Sequence, residues 1–121
     1  MINIKKLLVA TILLVSHQLF SVQAVEENKK YDKYNVEVFK TPSCGCCYGY
    51  VLFLEKEKFK VKQTDMRSLH TIKQKYNIPV EMQSCHTTIM GKYFIEGHVP
   101  FEAVNKLLKE QPDIDGIALP G

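Results

Sequence analysis

Three cysteines within four positions constrain this chain more than any other feature, because they read Cys44-Gly45-Cys46-Cys47. Residues 36–39 before them alternate apolar and polar side chains, which is typical of a strand. Thr41-Pro42-Ser43 ends that strand, and the apolar stretch after the cysteines predicts a helix running to about Lys58. The reactive sulfurs therefore lie where a strand turns into a helix, with Ser43 or Thr41 as the expected cap.

The next elements follow from hydrophobic periodicity. Phe59, Val61 and Gln63 alternate with lysines and predict a second strand. A second helix is expected from a cap at Ser68 to a stop at Pro79, with Leu69, Ile72 and Tyr76 on one face.

A hairpin and a helix complete the predicted fold. Residues 87–90 and 93–95 flank Gly91-Lys92, which is a hairpin signal. Pro100 suits the first position of a last helix. That helix has an apolar stripe made of Phe101, Val104, Leu107 and Leu108.

The element order is thus β-α-β-α-β-β-α, which predicts an α/β fold with a central mixed sheet flanked by helices. The first two strands are joined through a helix, which favours a parallel right-handed crossover. Thioredoxin-like and glutaredoxin-like domains keep their chemistry at the end of the first strand, where the cysteines lie here. By this analogy we expect a thioredoxin-like domain over residues 35–121.

The N-terminus has the pattern of a secretory signal over residues 1–24. Lys5 and Lys6 precede an apolar core at residues 7–15, and Val22-Gln23-Ala24 offers a cleavage site. The core is shorter than the roughly 20 residues of a membrane span, so we expect cleavage, with an uncleaved anchor as the alternative. The exported protein would begin at Val25 with a polar lead-in over residues 25–34. It would be soluble in the periplasm and not embedded in the membrane.

Charge gives little information about partners. The chain has 16 basic and 13 acidic residues, a net charge of +3. That balance, without a basic stripe interleaved with aromatic residues, argues against a nucleic-acid partner.

The fourth cysteine, Cys85, directly precedes the predicted third strand. In a thioredoxin-like layout the start of that strand faces the cysteine loop, so all four sulfurs can meet. Soft thiolates select Cu(I), zinc or iron–sulfur clusters. Adjacent Cys46 and Cys47 cannot easily both point at one tetrahedral ion but could bridge several ions, which suits copper.

Two other interpretations of the cysteines stay open. Cys44 and Cys47 form a Cys-x-x-Cys pair that could act as a thiol–disulfide oxidoreductase. Alternatively, disulfides such as Cys44–Cys47 and Cys46–Cys85, one of three possible pairings, could staple a small interaction module.

Two histidines accompany the cysteines. His86 adjoins Cys85 and falls near the position of the proline that precedes the third strand in glutaredoxin-like domains. A metal-capable imidazole there suits a site altered from disulfide exchange toward metal binding. His98 is a second candidate after the hairpin, whereas His70 is expected on the surface.

Three further side chains near the cysteines have two interpretations each. Met82 is three residues from Cys85 and is either a thioether ligand or core filling. Tyr48 and Tyr50 either screen the site from water or pack within their helix.

Four stretches together resemble the exported CopG-type copper-resistance family, long filed as a domain of unknown function. They are Thr41-Pro42-Ser43-Cys44-Gly45-Cys46-Cys47, Ser84-Cys85-His86-Thr87, Glu96-Gly97-His98-Val99-Pro100 and Gly116-Ile117-Ala118-Leu119-Pro120-Gly121. The resemblance runs from about Val36 to Gly121.

The resemblance implies a thioredoxin-like, periplasmic, copper-binding protein found with copper-efflux systems. It also implies a possible role as a copper oxidoreductase that interconverts Cu(I) and Cu(II). The implied metal ligands are the four thiolates and the two motif histidines: Cys44, Cys46, Cys47, Cys85, His86 and His98. We therefore expect a copper-resistance protein that binds more than one Cu(I) ion.

Overall fold

The computed structural model describes residues 30–120 of the chain. The predicted signal, residues 1–24, and the first half of the lead-in lie outside the described residues. By its internal contacts the chain divides into Met1–Lys33 and Tyr34–Gly121. Residues 30–33 of the first unit form a turn. The second unit holds every helix and strand that follows.

The described residues of the second unit, 34–120, form five strands and three α-helices. In chain order they are β1 (Val36–Lys40), α1 (Gly45–Lys56), β2 (Val61–Asp65), α2 (His70–Lys75), β3 (Thr87–Met90), β4 (Tyr93–Gly97), α3 (Phe101–Glu110) and β5 (Gly116–Leu119). A short 3-10 helix, Val80–Met82, lies between α2 and β3.

The strands form one mixed sheet in the order β2-β1-β3-β4-β5. β1 pairs with β2 in parallel, as expected for strands joined through a helix, and with β3 in antiparallel. β3 and β4 form the predicted hairpin, and β5 adds in parallel to β4. These pairings confirm the α/β class and the mixed sheet flanked by helices, whereas the finer thioredoxin-like assignment stays a prediction.

α2 covers one face of the sheet. Ile89 and Phe94 of β3 and β4 are buried there against Ile78, which follows the helix, and Phe39 and Tyr76 pack on the same cluster. This cluster contributes part of the apolar burial that stabilises a domain of this size.

The opposite face is equally covered. Val38 and Ile95, which alternate with the residues of the first face, are completely buried. So are Leu54 of α1 and Val104 of α3, and the ring of Phe101 packs 6.4 Å from that of Phe59. α1 and α3 therefore lie over this second face. Since β3 and β4 are covered on both sides, every residue in them is buried.

Several predicted boundaries differ from those observed. Cys44 itself is the N-cap of α1, with no side-chain cap hydrogen bond, so the caps expected from Ser43 or Thr41 are wrong. α1 ends at Lys56 and not near Lys58, because Lys58 has a positive φ of 70° that a right-handed helix cannot contain. Pro100 is the N-cap of α3 and not its first helical residue.

β5 is absent from the predicted element order. Its four residues, Gly-Ile-Ala-Leu, carry neither alternation nor length enough to distinguish a strand from a loop. Gly116 is required at its start, since a Cβ there would lie 2.2 Å from the carbonyl oxygen of Phe94.

Among residues 30–120, none of the helices combines the length and the apolar character that crossing a membrane requires.

Candidate metal centre

The cysteine loop leaves the sheet at the end of β1, where a buried lysine fixes its start. Lys40 Nζ lies 2.9 Å from Asp65 Oδ1 at the end of β2 and donates a hydrogen bond to the carbonyl oxygen of Thr41. The Cys44 amide also donates to that carbonyl, at 3.2 Å, which closes a turn. The loop therefore delivers Cys44 to the first turn of α1.

The three clustered cysteines have different environments. Cys44 and Cys47 are joined in a disulfide, and Cys47 is completely buried. Cys46 is an exposed free thiol whose sulfur lies 3.4 Å from that of Cys44. These sulfurs lie at the N-terminus of α1, where a helix has backbone N–H groups without partners inside the helix.

Cys85 approaches the same place from the segment before β3. Its carbonyl oxygen lies 3.5 Å from the Cys47 sulfur. All four cysteine sulfurs lie within 4.8 Å of one another. Partial burial raises the pKa of the Cys85 thiol and the nearby Cys46 sulfur adds to this, while a hydrogen bond from the Ser84 hydroxyl opposes it.

A second group shares Cys85 with two histidines. Ligand atoms of Cys85, His86 and His98 all lie within 4.8 Å of one another. His86 Nδ1 is 3.3 Å from the Cys85 sulfur, and the two imidazole rings are perpendicular with centroids 4.8 Å apart. The structure thus brings together all six residues that the sequence proposed as ligands.

The two histidines differ in exposure. His98 is exposed, whereas His86 is 0% exposed and its Nε2 has no hydrogen-bond partner among the described residues. Burial lowers the pKa of His86 from 6.5 to about 4, and the nearby His98 and Lys73 add to this. His86 is therefore neutral at neutral pH and keeps a lone pair for a metal ion.

The ring of Tyr50 in α1 packs against both imidazoles. Its ring centroid lies 4.8 Å from that of His86 and 5.4 Å from that of His98. Its hydroxyl donates to the carbonyl oxygen of Val99 at 2.9 Å, and burial raises the pKa of that phenol. Tyr50 is thus a buried packing residue of the site, while Tyr48 is exposed.

The remaining candidates lie outside this group. His70 is exposed at the start of α2, as the sequence predicted. Met82 is exposed in the 3-10 helix and belongs to neither cluster of candidate ligands.

A surface pocket of about 390 Å³ gives solvent access to the site. Cys46 and His98 line it together with apolar groups of Tyr50 and Phe53. An ion or a small partner group can therefore approach the exposed sulfur and the exposed imidazole from one side.

One pair of residues close to Cys85 was not anticipated from the sequence. Lys73 of α2 and Glu96 of β4 form an ion pair in which both side chains are buried. The available signal was a glutamate inside the otherwise apolar strand Tyr-Phe-Ile-Glu-Gly, which is unusual without a buried partner.

The fold and site define a class: a small α/β protein whose cysteines and histidines converge at one end of a mixed sheet. Comparison with known proteins identifies the family within this class. Residues 82–121 match the family described as "Protein of unknown function, DUF411". No curated protein matches the chain.

Two solved structures are similar to this chain. "Copper resistance protein copG- Form 2" is 35% identical, with a TM-score of 0.68, over 73% of this chain and 70% of that one. "Copper resistance protein copG- Form 1" is 36% identical, with a TM-score of 0.67, over 72% and 69%. The chain belongs to the CopG family of copper resistance proteins.

Proposed function

We propose that this protein is an exported, thioredoxin-like copper-binding protein of copper resistance that holds Cu(I) through its cysteines. The main observation that supports this proposal is that four cysteine sulfurs lie within 4.8 Å of one another. Soft thiolates select Cu(I), zinc or iron–sulfur clusters, and the similar structures, which are titled copper resistance proteins, favour copper among these. Export to the periplasm rests on the N-terminal signal pattern.

The geometry favours more than one copper ion. Cys46 and Cys47 are adjacent in α1, but Cys46 is exposed and Cys47 is buried, so their sulfurs lie in different surroundings. The two sulfurs could therefore take part in binding different ions. Cys85 belongs both to the all-sulfur group and to the group with His86 and His98. A Cys85 thiolate could bridge an ion held by sulfur and an ion held partly by nitrogen.

The disulfide couples this binding to redox state. While Cys44 and Cys47 are bonded to each other, neither supplies a thiolate. Reduction with two electrons and two protons yields two thiols, which then release protons as they bind metal. The oxidised protein should bind little copper and the reduced protein should bind tightly. A cycle between Cu(I) and Cu(II) at the same site is the finer redox role that we propose.

A competitive Cu(I) titration of reduced protein tests the ligand set. Cys85→Ser should weaken Cu(I) binding at least tenfold, because it removes the sulfur common to both groups. Ser43→Ala, in the loop before Cys44, is the control and should bind like the parent, because a hard hydroxyl oxygen is a poor ligand for Cu(I). Parent-like affinity of Cys85→Ser would exclude Cys85 from the site.

A second function, thiol–disulfide exchange, is favoured by one observation. The disulfide at the start of α1 joins the partly exposed Cys44 to the buried Cys47, as expected of an attacking and a resolving thiol. In an exchange enzyme the Cys46 thiol 3.4 Å from Cys44 would compete in side pairings.

The two functions respond oppositely to Cys46→Ala. A copper site loses a soft ligand, so copper binding and the copper tolerance of a complemented deletion strain should fall. The rate at which the variant reduces insulin disulfides should equal or exceed that of the parent. If Cys46→Ala sustains parental growth in copper while Cys44→Ala abolishes a measurable exchange activity, the oxidoreductase function is the correct one.

A further inference from the structure

The buried ion pair between Lys73 and Glu96 lies on the face of the sheet covered by α2. Glu96 is 0% exposed and Lys73 is 6% exposed. Removing two charges from water is costly, and apolar residues of similar size often replace such a pair without loss of stability. Stability alone therefore does not account for two charged groups here, and their other contacts indicate what they do.

Both members of the pair bind the backbone of Ser84, the residue before Cys85. Lys73 Nζ donates to the Ser84 carbonyl oxygen at 3.0 Å, and the Ser84 amide donates to Glu96 Oε1 at 2.7 Å. A cation and an anion thus hold both polar main-chain groups of one residue. An apolar pair could make neither contact.

The same carboxylate also fixes the residue after His86. The Thr87 hydroxyl donates to Glu96 Oε2 at 2.7 Å and accepts from Lys73 Nζ at 3.1 Å. Ser84 and Thr87, on either side of the Cys85-His86 dipeptide, are therefore anchored on one buried glutamate.

The dipeptide itself has little regular structure to hold it. Residues 83–86 belong to no helix or strand, and β3 begins only at Thr87. The Gly97 amide donates to the His86 carbonyl oxygen at 3.2 Å, which extends β4 pairing by one residue. Gly97 can approach because it has no Cβ, which would lie 3.0 Å from the Ser84 side chain.

From these contacts we propose that Lys73, Glu96 and Thr87 are positioning residues that hold the Cys85-His86 segment against the cysteine loop. Among residues 30–120, none of the three forms a hydrogen bond with the sulfur or ring nitrogen of a candidate ligand. They act through the residues on both sides of the Cys85-His86 dipeptide. The consequence for copper rests on the proposed function. The ordering of residues 84–87 does not, and can be measured without metal.

Two matched pairs of variants separate this role from general stabilisation. Glu96→Gln removes the central charge, and its control is Glu37→Gln. Glu37 is also ion-paired, to Lys62 at 2.9 Å, and accepts a hydrogen bond from Thr64 on the neighbouring strand, far along β1 from the cysteines. Thr87→Val removes one hydroxyl without changing the shape of the side chain, and Thr87→Ser keeps it.

The metal-free readout is amide hydrogen exchange measured by NMR. Glu96→Gln and Thr87→Val should lower the protection of the Ser84 amide at least tenfold, while the amides of β1 keep theirs. Glu37→Gln and Thr87→Ser should leave Ser84 protected. Loss of protection spread across the whole sheet, in proportion to a lowered urea midpoint, would overturn the proposal by showing a merely structural role.

The metal readout is competitive Cu(I) titration of the same reduced proteins. Glu96→Gln and Thr87→Val should bind Cu(I) at least tenfold more weakly than the parent, and the two controls should bind within twofold. A folded Glu96→Gln with parental affinity overturns the proposal; if that variant does not fold, Thr87→Val decides in the same way. If the parent itself binds no copper, the proposed function fails, while hydrogen exchange still decides the positioning role.

Discussion

His86 is the residue whose chemistry depends most on the fold. Its side chain is completely buried, with one nitrogen facing Cys85 and the other without a hydrogen-bond partner among residues 30–120. A buried polar atom without a partner costs free energy, so its retention is consistent with a ligand role. Both the burial of this side chain and its position beside Cys85 can be tested.

The burial of His86 predicts how the acid stability of the copper-free protein behaves. The pKa of His86 is about 4 in the folded chain and 6.5 ordinarily. Between these values the unfolded chain binds a proton that the folded chain does not, so stability falls as the pH drops from 6.5 to 4. The full loss is roughly 3 kcal/mol. Urea unfolding across this range should show a shallower pH slope for His86→Gln than for His70→Gln, and equal slopes would contradict the assignment.

The position of His86 beside Cys85 predicts an effect on copper. His86→Ala should change Cu(I) affinity or the reduction potential of the bound copper more than His70→Ala does, because His70 is exposed on α2. Competitive titration and voltammetry of both variants measure the two quantities. Equal effects would show that His86 is not part of the metal centre.

At the scale of elements, two glycines in different backbone environments give opposite predictions. Gly97 ends β4 with a φ of 78°, and a Cβ there would lie 2.5 Å from the Leu119 carbonyl oxygen. Gly97→Ala should therefore destabilise the protein by roughly 1–3 kcal/mol. Gly49 lies inside α1, where an added Cβ would meet open space, so Gly49→Ala should stabilise by about 0.5–1 kcal/mol. Urea midpoints check both, and a stabilised Gly97→Ala would show that the β4–β5 contact is not tight.

The elements that periodicity could predict are those whose pattern is local. β1, the β3–β4 hairpin and the apolar stripe of α3 each carry alternation or helical spacing within a few residues. β5 does not, because its only strong determinant is pairing with β4, some twenty residues earlier in the chain. The sequence could indicate that Glu96 needs a buried partner, but not that Lys73 is that partner, since nothing local links a helix lysine to a strand glutamate.

The residues of the candidate site could be predicted from the sequence more completely than the edge strand β5. The cysteine motif and the Cys85-His86 pair can be recognised directly in the sequence, and the expected topology brings them together. What the residues could not supply was the environment of each group. Three features depend on side chains from other elements: the burial of His86, the packing of Tyr50 on its ring, and the hydrogen bonds of Lys73 and Glu96 to the Ser84 backbone.

At the scale of the whole molecule, the proposed export would determine the redox conditions to which the cysteines are exposed. An exported protein enters an oxidising compartment, where the Cys44–Cys47 disulfide would persist unless a reductant acts on it. The periplasmic product should begin at Val25, and its intact mass checks this. Recovery of the protein in the membrane fraction with Met1 retained would contradict cleavage.

The central claim is that reduction converts this protein into a binder of several Cu(I) ions. Native mass spectrometry of the mature protein, loaded with Cu(I) under anaerobic conditions, counts the ions directly. We predict more than one copper per chain when all four cysteines are reduced, and little copper when the Cys44–Cys47 disulfide is intact. Equal copper in both states, or none in the reduced protein, would contradict the claim.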